Sequence, residues 1–206
     1  MSQQISENQT EQDAPSGGWR RDVYDWLQTL ALVLVFITIF FTFFGMVFGV
    51  SGSSMYPTLH DGDAMLIQRI GYSPQQGDIV VLKKDGFPYE DDSEAIVKRI
   101  IAVAGQTVEI DYDANTVYVD GVALAEDYLN FANEGTEQYG DDYMVERDGM
   151  VYSSFQVPEG CIFVMGDNRN GSTDSRYAAL GMVDTRYVLG KAVCVFFPFS
   201  DARWLS

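Results

Sequence analysis

Histidine and cysteine are almost missing from this chain, which has one histidine, His60, and two cysteines, Cys161 and Cys194, in 206 residues. A structural zinc site draws on several such side chains, so there is little here to build one. A triad based on imidazole would have to use His60 or nothing. Positive charge is scarce as well. Thirteen Lys and Arg stand against 30 Asp and Glu, for a formal charge of −17. A nucleic-acid partner needs a cationic surface, so none is expected. With 47% apolar and 21% charged residues, the chain can still build one real core and is not a disordered polyanion. Its length suits one domain with an appendage.

Charge is absent altogether between Trp26 and Asp61. Within that gap, Leu27 to Val50 is 24 residues of mostly Leu, Val, Ile and Phe, interrupted by Gln28, three threonines and two glycines. As a helix it would be about 36 Å long, enough for a hydrocarbon core of about 30 Å. A buried core helix rarely runs so far without a polar face. A cleavable signal peptide would have a shorter apolar region ending at small residues, whereas this one ends in Phe48-Gly49-Val50. The expectation is a retained anchor over 27–50. Arg20 and Arg21 precede it, which predicts a cytoplasmic tail over 1–26 and an extracytoplasmic domain over 51–206. Trp19, Tyr24 and Trp26 suit the near interface.

The 51–206 segment carries 25 acidic and 11 basic residues, and its patterning is that of strands. Ala64-Met65-Leu66-Ile67, Asp78-Ile79-Val80-Val81-Leu82, Cys161-Ile162-Phe163-Val164-Met165 and Ala192-Val193-Cys194-Val195-Phe196 are short apolar runs bounded by turn residues. Val108-Glu109-Ile110 and Thr116-Val117-Tyr118-Val119 flank Asp113-Ala114-Asn115 as a hairpin, and Asp120-Gly121 marks another turn. The fold class is mostly β, with a β-barrel-like domain behind one N-terminal helix. Residues 126–158 are acidic and aromatic with little pattern, and form a variable excursion. Cys161 and Cys194 are either a disulfide, which an outward compartment permits, or two core thiols.

Three places could carry chemistry. The first is Gly52-Ser53-Ser54-Met55-Tyr56-Pro57-Thr58-Leu59, either an ordinary Gly/Ser turn or a nucleophile loop held between the anchor and the first strands. A serine hydroxyl needs a base. His60, followed by Asp61-Gly62-Asp63, reads as an exposed turn residue. Four lysines remain, of which Lys83 and Lys84 precede a wet Asp85-Gly86 turn, with Lys191 further on. Lys98 differs, because it lies within Ala95-Ile96-Val97-Lys98-Arg99-Ile100-Ile101-Ala102-Val103. Strand alternation puts it with Ile96, Ile100 and Ala102, and Arg99 opposite with Val97, Ile101 and Val103. Burial disfavours an ammonium and can lower a lysine pKa by up to about 3–5 units, into the range of a general base. The other reading is a packed stem with its head in water. The third place is Gly166-Asp167-Asn168-Arg169-Asn170-Gly171-Ser172-Thr173-Asp174-Ser175-Arg176-Tyr177. It is either a large turn held by an Asp174–Arg176 ion pair or a source of hydrogen bonds to a catalytic group.

Taken together, these segments resemble the bacterial type I signal peptidases, membrane-anchored Ser/Lys proteases that remove signal peptides from exported proteins. Ser51 to Leu59 is similar to the nucleophile box, in which the serine before Met attacks, which implies Ser54. Val97-Lys98-Arg99 leading into Ala104-Gly105-Gln106 resembles the box of the general-base lysine, implying Lys98. Gly166-Asp167-Asn168-Arg169 with Ser172, Asp174, Ser175 and Arg176 resembles the last box. There Ser172 would orient the lysine, and Asp174 with Arg176 would brace the loop. Gln76-Gly77-Asp78-Ile79-Val80-Val81 resembles a structural box between the first two. Four motifs in order after one span cover most of 27–192. The resemblance implies a β-rich extracytoplasmic domain, no metal and no cofactor, and secretory preproteins with A-x-A-type cleavage sites as partners. It further implies oxyanion or substrate contacts at Gly52, Ser53, Ser54 and Met55.

Two positions depart from the family pattern. Gly52 stands where some members carry an oxyanion-hole serine, so the hole would rest on the Ser54 N–H and a second donor such as Ser53 or water. Asn170-Gly171 stands where many relatives have Asp-Asn. Phe196-Phe197-Pro198-Phe199 with Trp204 either meets the lipid bilayer at the headgroups or packs in the core. The rival readings are a self-cleaving LexA-like Ser/Lys peptidase, disfavoured by the span and the acidic charge, and a non-catalytic anchored binding domain.

Overall fold

A computed structural model describes residues 18–43, 45–83, 95–111, 116–129, 145–147, 150–152, 154–177 and 180–205. The Asp113-Ala114-Asn115 and Asp85-Gly86 turns, most of the 126–158 excursion and nearly all of the N-terminal tail lie outside these residues. The chain divides into two units, one through Phe41 and one from Thr42.

Helix α1 runs Gly18–Phe43. Its stretch Gly18–Ile39 is long and apolar enough to cross a membrane, at about 33 Å for 22 residues. Large apolar side chains stand out all along it, including Leu32, Val35, Phe36 and Ile39, each at least half exposed. Trp19, Tyr24 and Trp26 are exposed too.

The apolar run read as one span over 27–50 divides, because residues 46–49 form strand β1 (Met46–Gly49). β1 pairs antiparallel with β2 (Ala64–Gln68), Met46 opposite Ile67 and Gly49 opposite Ala64. Gly45 permits this approach, since a Cβ there would lie 2.7 Å from Leu66 Cδ1. Hydrophobicity alone does not separate a membrane helix from a strand with the same composition.

The remaining strands follow the expected order. They are β3 (Ile79–Lys83), β4 (Ala95–Val103), β5 (Thr107–Asp111), β6 (Thr116–Val119), β7 (Val122–Ala123), β8 (Val145–Arg147), β9 (Met150–Tyr152), β10 (Ser154–Gln156), β11 (Cys161–Met165), β12 (Val183–Asp184), β13 (Val188–Phe197) and β14 (Arg203–Trp204). The fold is mostly β, as expected. The main sheet runs β1-β2-β13-β3-β4-β11-β12 with β14 on β13, beside a sheet β10-β5-β6-β7 and the β8–β9 pair. Among the described residues these sheets are not closed into a barrel.

Asp120 and Gly121 both adopt positive φ, 52° and 77°, as a tight two-residue hairpin between β6 and β7 requires. Among the described residues three apolar clusters fill the interior. One joins Met55 and Leu59 to β2, β3 and β13, a second lies between β4, β5, β6 and β11, and a third gathers Val80, Leu82, Ile96, Ile100 and Val164. Alternation along β4 breaks near its end. Ala102 pairs with Phe163 but Ile100 pairs with Val164, leaving Ile101 as the extra residue of a bulge. Ala102 therefore packs in the same cluster as Ile101, not on the Lys98 face where strict alternation put it. Cys161 and Cys194 are free, half-buried thiols, so no disulfide joins them.

Candidate active site

The segment between β1 and β2 is closed on itself by its own backbone. Val50 N–H donates to Asp63 O at 2.7 Å and Gly62 N–H to Val50 O at 3.0 Å. Asp61 Oδ1 accepts from the Gly52 N–H at 2.9 Å, and Asp63 Oδ2 accepts from the His60 N–H at 3.0 Å. Met55 and Leu59 turn inward, fully buried, while Tyr56 between them is exposed. Gly52 sits at φ +87°, a left-handed conformation that glycine takes without strain. His60 is half exposed, against Tyr56, as a turn residue should be.

Lys98 enters from the middle of β4, opposite Val80 of β3. It is only 2% exposed, and its Nζ lies 2.8 Å from Ser54 Oγ. The packed-stem, wet-head alternative therefore does not describe this residue. Burial pulls its pKa from 10.5 down to about 8; Asp174 pushes back upward, Arg176 further down, and Asp167 upward. An amine near 8 beside a hydroxyl can exchange a proton with it close to neutral pH.

The polar loop after β11 is tied to the segment that carries Ser54. Asn168 donates its backbone N–H to Ser54 O at 3.0 Å and its Nδ2 to Ser53 O at 3.1 Å. Gly166 fills the space between: a Cβ there would lie 2.2 Å from Ser172 Oγ and 2.4 Å from Ser54 O. At Gly171 a Cβ would lie 2.7 Å from Asn168 Nδ2, so that side chain would have to shift. Ser172 Oγ is buried with no hydrogen-bond partner among the described residues, so it does not hydrogen-bond Lys98 here.

Three buried ion pairs hold this loop, one of them between Arg169 and Glu126. Arg176 grips Asp174 through Nε at 2.7 Å and Nη2 at 2.8 Å, both side chains wholly inaccessible. Burial opposes the Asp174 charge, but Arg176 and the Gly166 N–H at 2.9 Å hold its pKa below the ordinary carboxylate value. Arg99 grips Asp167 in the same bidentate way, at 2.9 and 2.8 Å, and also donates to Gly77 O at 2.8 Å. Each pair repays the desolvation of its charges only because both ends are bonded. Ser175 Oγ accepts from the Val164 N–H at 3.0 Å, fastening the loop to β11.

The residues singled out from the sequence thus converge. Ser54, Lys98, Gly166, Asp167, Asn168, Ser172, Asp174 and Arg176 form one connected site, with Ser53, Gly52 and Met55 in the same loop. Sequence reading gave no role to Thr58, whose hydroxyl donates to Asp167. It also missed Glu126, paired with Arg169, Tyr128, whose ring lies 4.0 Å from the Arg99 guanidinium, and Arg203.

Residues 23–197 match the family model described as signal peptidase, peptidase S26. A signal peptidase I of Bacillus licheniformis is 34% identical over 187 residues, covering 89% of this chain and 94% of the relative. A signal peptidase IB of Staphylococcus aureus is 31% identical over 191 residues, covering 90% and 95%. A crystal structure of a signal peptidase I from Enterococcus faecalis is 35% identical, covers 58% of this chain and 97% of its own, and superposes with a TM-score of 0.42.

Proposed function

The chain belongs to the signal peptidase (peptidase S26) family and is a hydrolase of that kind; from this premise we propose that it removes signal peptides through a Ser54/Lys98 dyad. The observation that carries the reading is the 2.8 Å contact between a 2%-exposed amine and a serine hydroxyl. Neutral Lys98 takes the Ser54 proton, and Oγ attacks the scissile carbonyl. The protonated amine then gives its proton to the leaving amine as the peptide bond breaks. Water, deprotonated by Lys98 in turn, hydrolyses the acyl-enzyme and frees Ser54.

Stabilisation of the oxyanion falls to the Ser54 N–H. Across a trans peptide the Ser53 C=O and Ser54 N–H point opposite ways, so Asn168, by holding the Ser53 carbonyl, turns that N–H away from the polar loop. Among the described residues nothing accepts a bond from it. Ser172, with a free buried hydroxyl, serves as a further partner for the lysine once substrate closes the site.

The substrates are secretory preproteins with small residues before the cleaved bond. Helix α1 anchors the protein in the cell membrane, with Arg20 and Arg21 on the cytoplasmic side and the catalytic domain outside. Phe197, Phe199 and Trp204 are exposed at 50%, 82% and 79%, and meet the headgroup region rather than the core. Anchoring enzyme and substrate in one bilayer raises their effective concentration without tight binding.

The test is cleavage of a preprotein by the detergent-solubilised protein, beside Ser54→Ala and Lys98→Ala. Wild type should release the mature protein, and each variant should lose about 10⁴-fold or more in rate. Intact, folded wild type that cuts nothing, or Lys98→Ala that cuts normally, refutes the reading.

A further inference from the structure

We infer that Arg203, in the last strand of the chain, is a positioning residue for the nucleophile, an assignment that rests on the Ser54/Lys98 reading above. His60, Asp63 and Asp201 each bring one ligand-type atom into a group within 4.8 Å of one another, the kind of cluster that draws a cation. The cation among them is the Arg203 guanidinium. Its Nη1 pairs with the Asp201 carboxylate and donates to Asp201 O at 2.9 Å. Its Nη2 reaches Asp63 Oδ2 at 3.4 Å and donates to the Thr58 carbonyl.

Thr58 is where this matters. Its carbonyl is held by Arg203 from one side, and its hydroxyl donates to Asp167 from the other. Asp167 is locked by Arg99, and the next residue, Asn168, holds the Ser54 carbonyl. Asp63, the other partner of Arg203, closes the same loop through the His60 N–H and Val50 N–H. The nucleophile loop is therefore clamped at both ends, by the polar loop near Ser54 and by the C-terminal segment near Thr58 and Asp63.

The fold delivers Arg203 to this place in two steps. β14 pairs with β13, Arg203 opposite Val195, and Val195 in turn lies opposite Met65 of β2, just past the loop. Leu205, beside Arg203, packs on the cluster that contains Met55 and Leu59. A planar fork is needed to serve a carboxylate on one arm and a carbonyl plus a second carboxylate on the other, which a lysine ammonium cannot span.

The experiment compares full-length wild type, Arg203→Ala and Arg203→Lys in detergent, cleaving a preprotein, with kcat and KM separated and the folded fraction measured by thermal melting. Arg203→Ala should lose about tenfold to a hundredfold in kcat, because small misplacements of a nucleophile are costly, with KM changed less than twofold. Guanidinium ion at low millimolar concentration should restore part of that kcat. Arg203→Lys should fold and fall between the two. A lowered melting temperature with kcat per folded molecule within twofold of wild type would make Arg203 structural only and overturn the inference. Should Arg203→Ala not fold, wild-type kcat in Arg203→Lys overturns it instead. Wild type that cleaves nothing is a separate outcome, and counts against the dyad itself.

Discussion

Asn168 donates its backbone N–H to the carbonyl of Ser54 at 3.0 Å, joining two loops that are far apart in sequence. One hydrogen bond of this kind is worth about 1 kcal/mol in net stability. Its larger effect is geometric, since it fixes the peptide plane from which Oγ projects toward Lys98. The serine is aimed by its own main chain, and the loop that aims it is in turn held by three buried ion pairs.

That arrangement leaves no room at Gly166. A methyl group there would overlap Ser172 Oγ at 2.2 Å, Ser172 Cβ at 2.4 Å and the Ser54 carbonyl at 2.4 Å. Ser172 can rotate, but the Ser54 backbone cannot yield without moving the nucleophile. Gly166→Ala should therefore cost about 1–3 kcal/mol of stability and disproportionately more activity, about 10²-fold in kcat. Chemical denaturation beside cleavage kinetics measures both. A variant with wild-type kcat would mean that the two loops are not rigidly coupled.

The pH dependence of cleavage has a definite sign. In the proposed dyad Lys98 acts only when neutral, and burial lowers its pKa to about 8. Below that value kcat/KM should rise about tenfold per pH unit, and it should level off above it. A profile that is flat between pH 6 and 9 excludes Lys98 as the base.

Much of this site could be read from the chain. Lys98 stood out because strand alternation set it on one face with Ile96 and Ile100, and the structure leaves it only 2% exposed. Asp174 and Arg176, two residues apart, were legible as a pair because their partner was local. What stayed hidden was non-local. The Arg99–Asp167, Glu126–Arg169 and Arg203–Thr58 contacts depend on which strands lie side by side, and no local pattern encodes that. The boundary near Phe43 was hidden for a different reason. Met46 to Gly49 is as apolar as the helix before it, and only its register on β2 marks it as strand.

Asp167 should be far less replaceable than a surface carboxylate. Its side chain is 1% exposed and that of Arg99 4%, so Asp167→Ala leaves a guanidinium buried without its counter-charge. A loss of about 3–5 kcal/mol is expected. Asp184 and Arg186 form an equally close pair at 2.7 Å, but Arg186 is 82% exposed, and Asp184→Ala should change stability far less. Urea titration of both variants makes the comparison. Equal losses would show that burial does not set the difference.

Lys98 should also weaken the fold that holds it. An unfolded lysine binds its proton up to about pH 10.5, whereas the folded residue releases it near 8. Between these values the unfolded chain carries more protons, so stability rises with pH across that window. Below pH 8 the full cost of charging a buried amine is present. Replacing Lys98 by Met, similar in length and uncharged, removes that cost while abolishing cleavage. Lys98→Met should thus be more stable than wild type by about 3 kcal/mol at pH 7, and the gap should shrink as pH is raised toward 10.5. Denaturation curves at pH 7, 9 and 10.5 supply the measurement. If wild type and Lys98→Met unfold together at every pH, the amine is not held in a site that disfavours its charge.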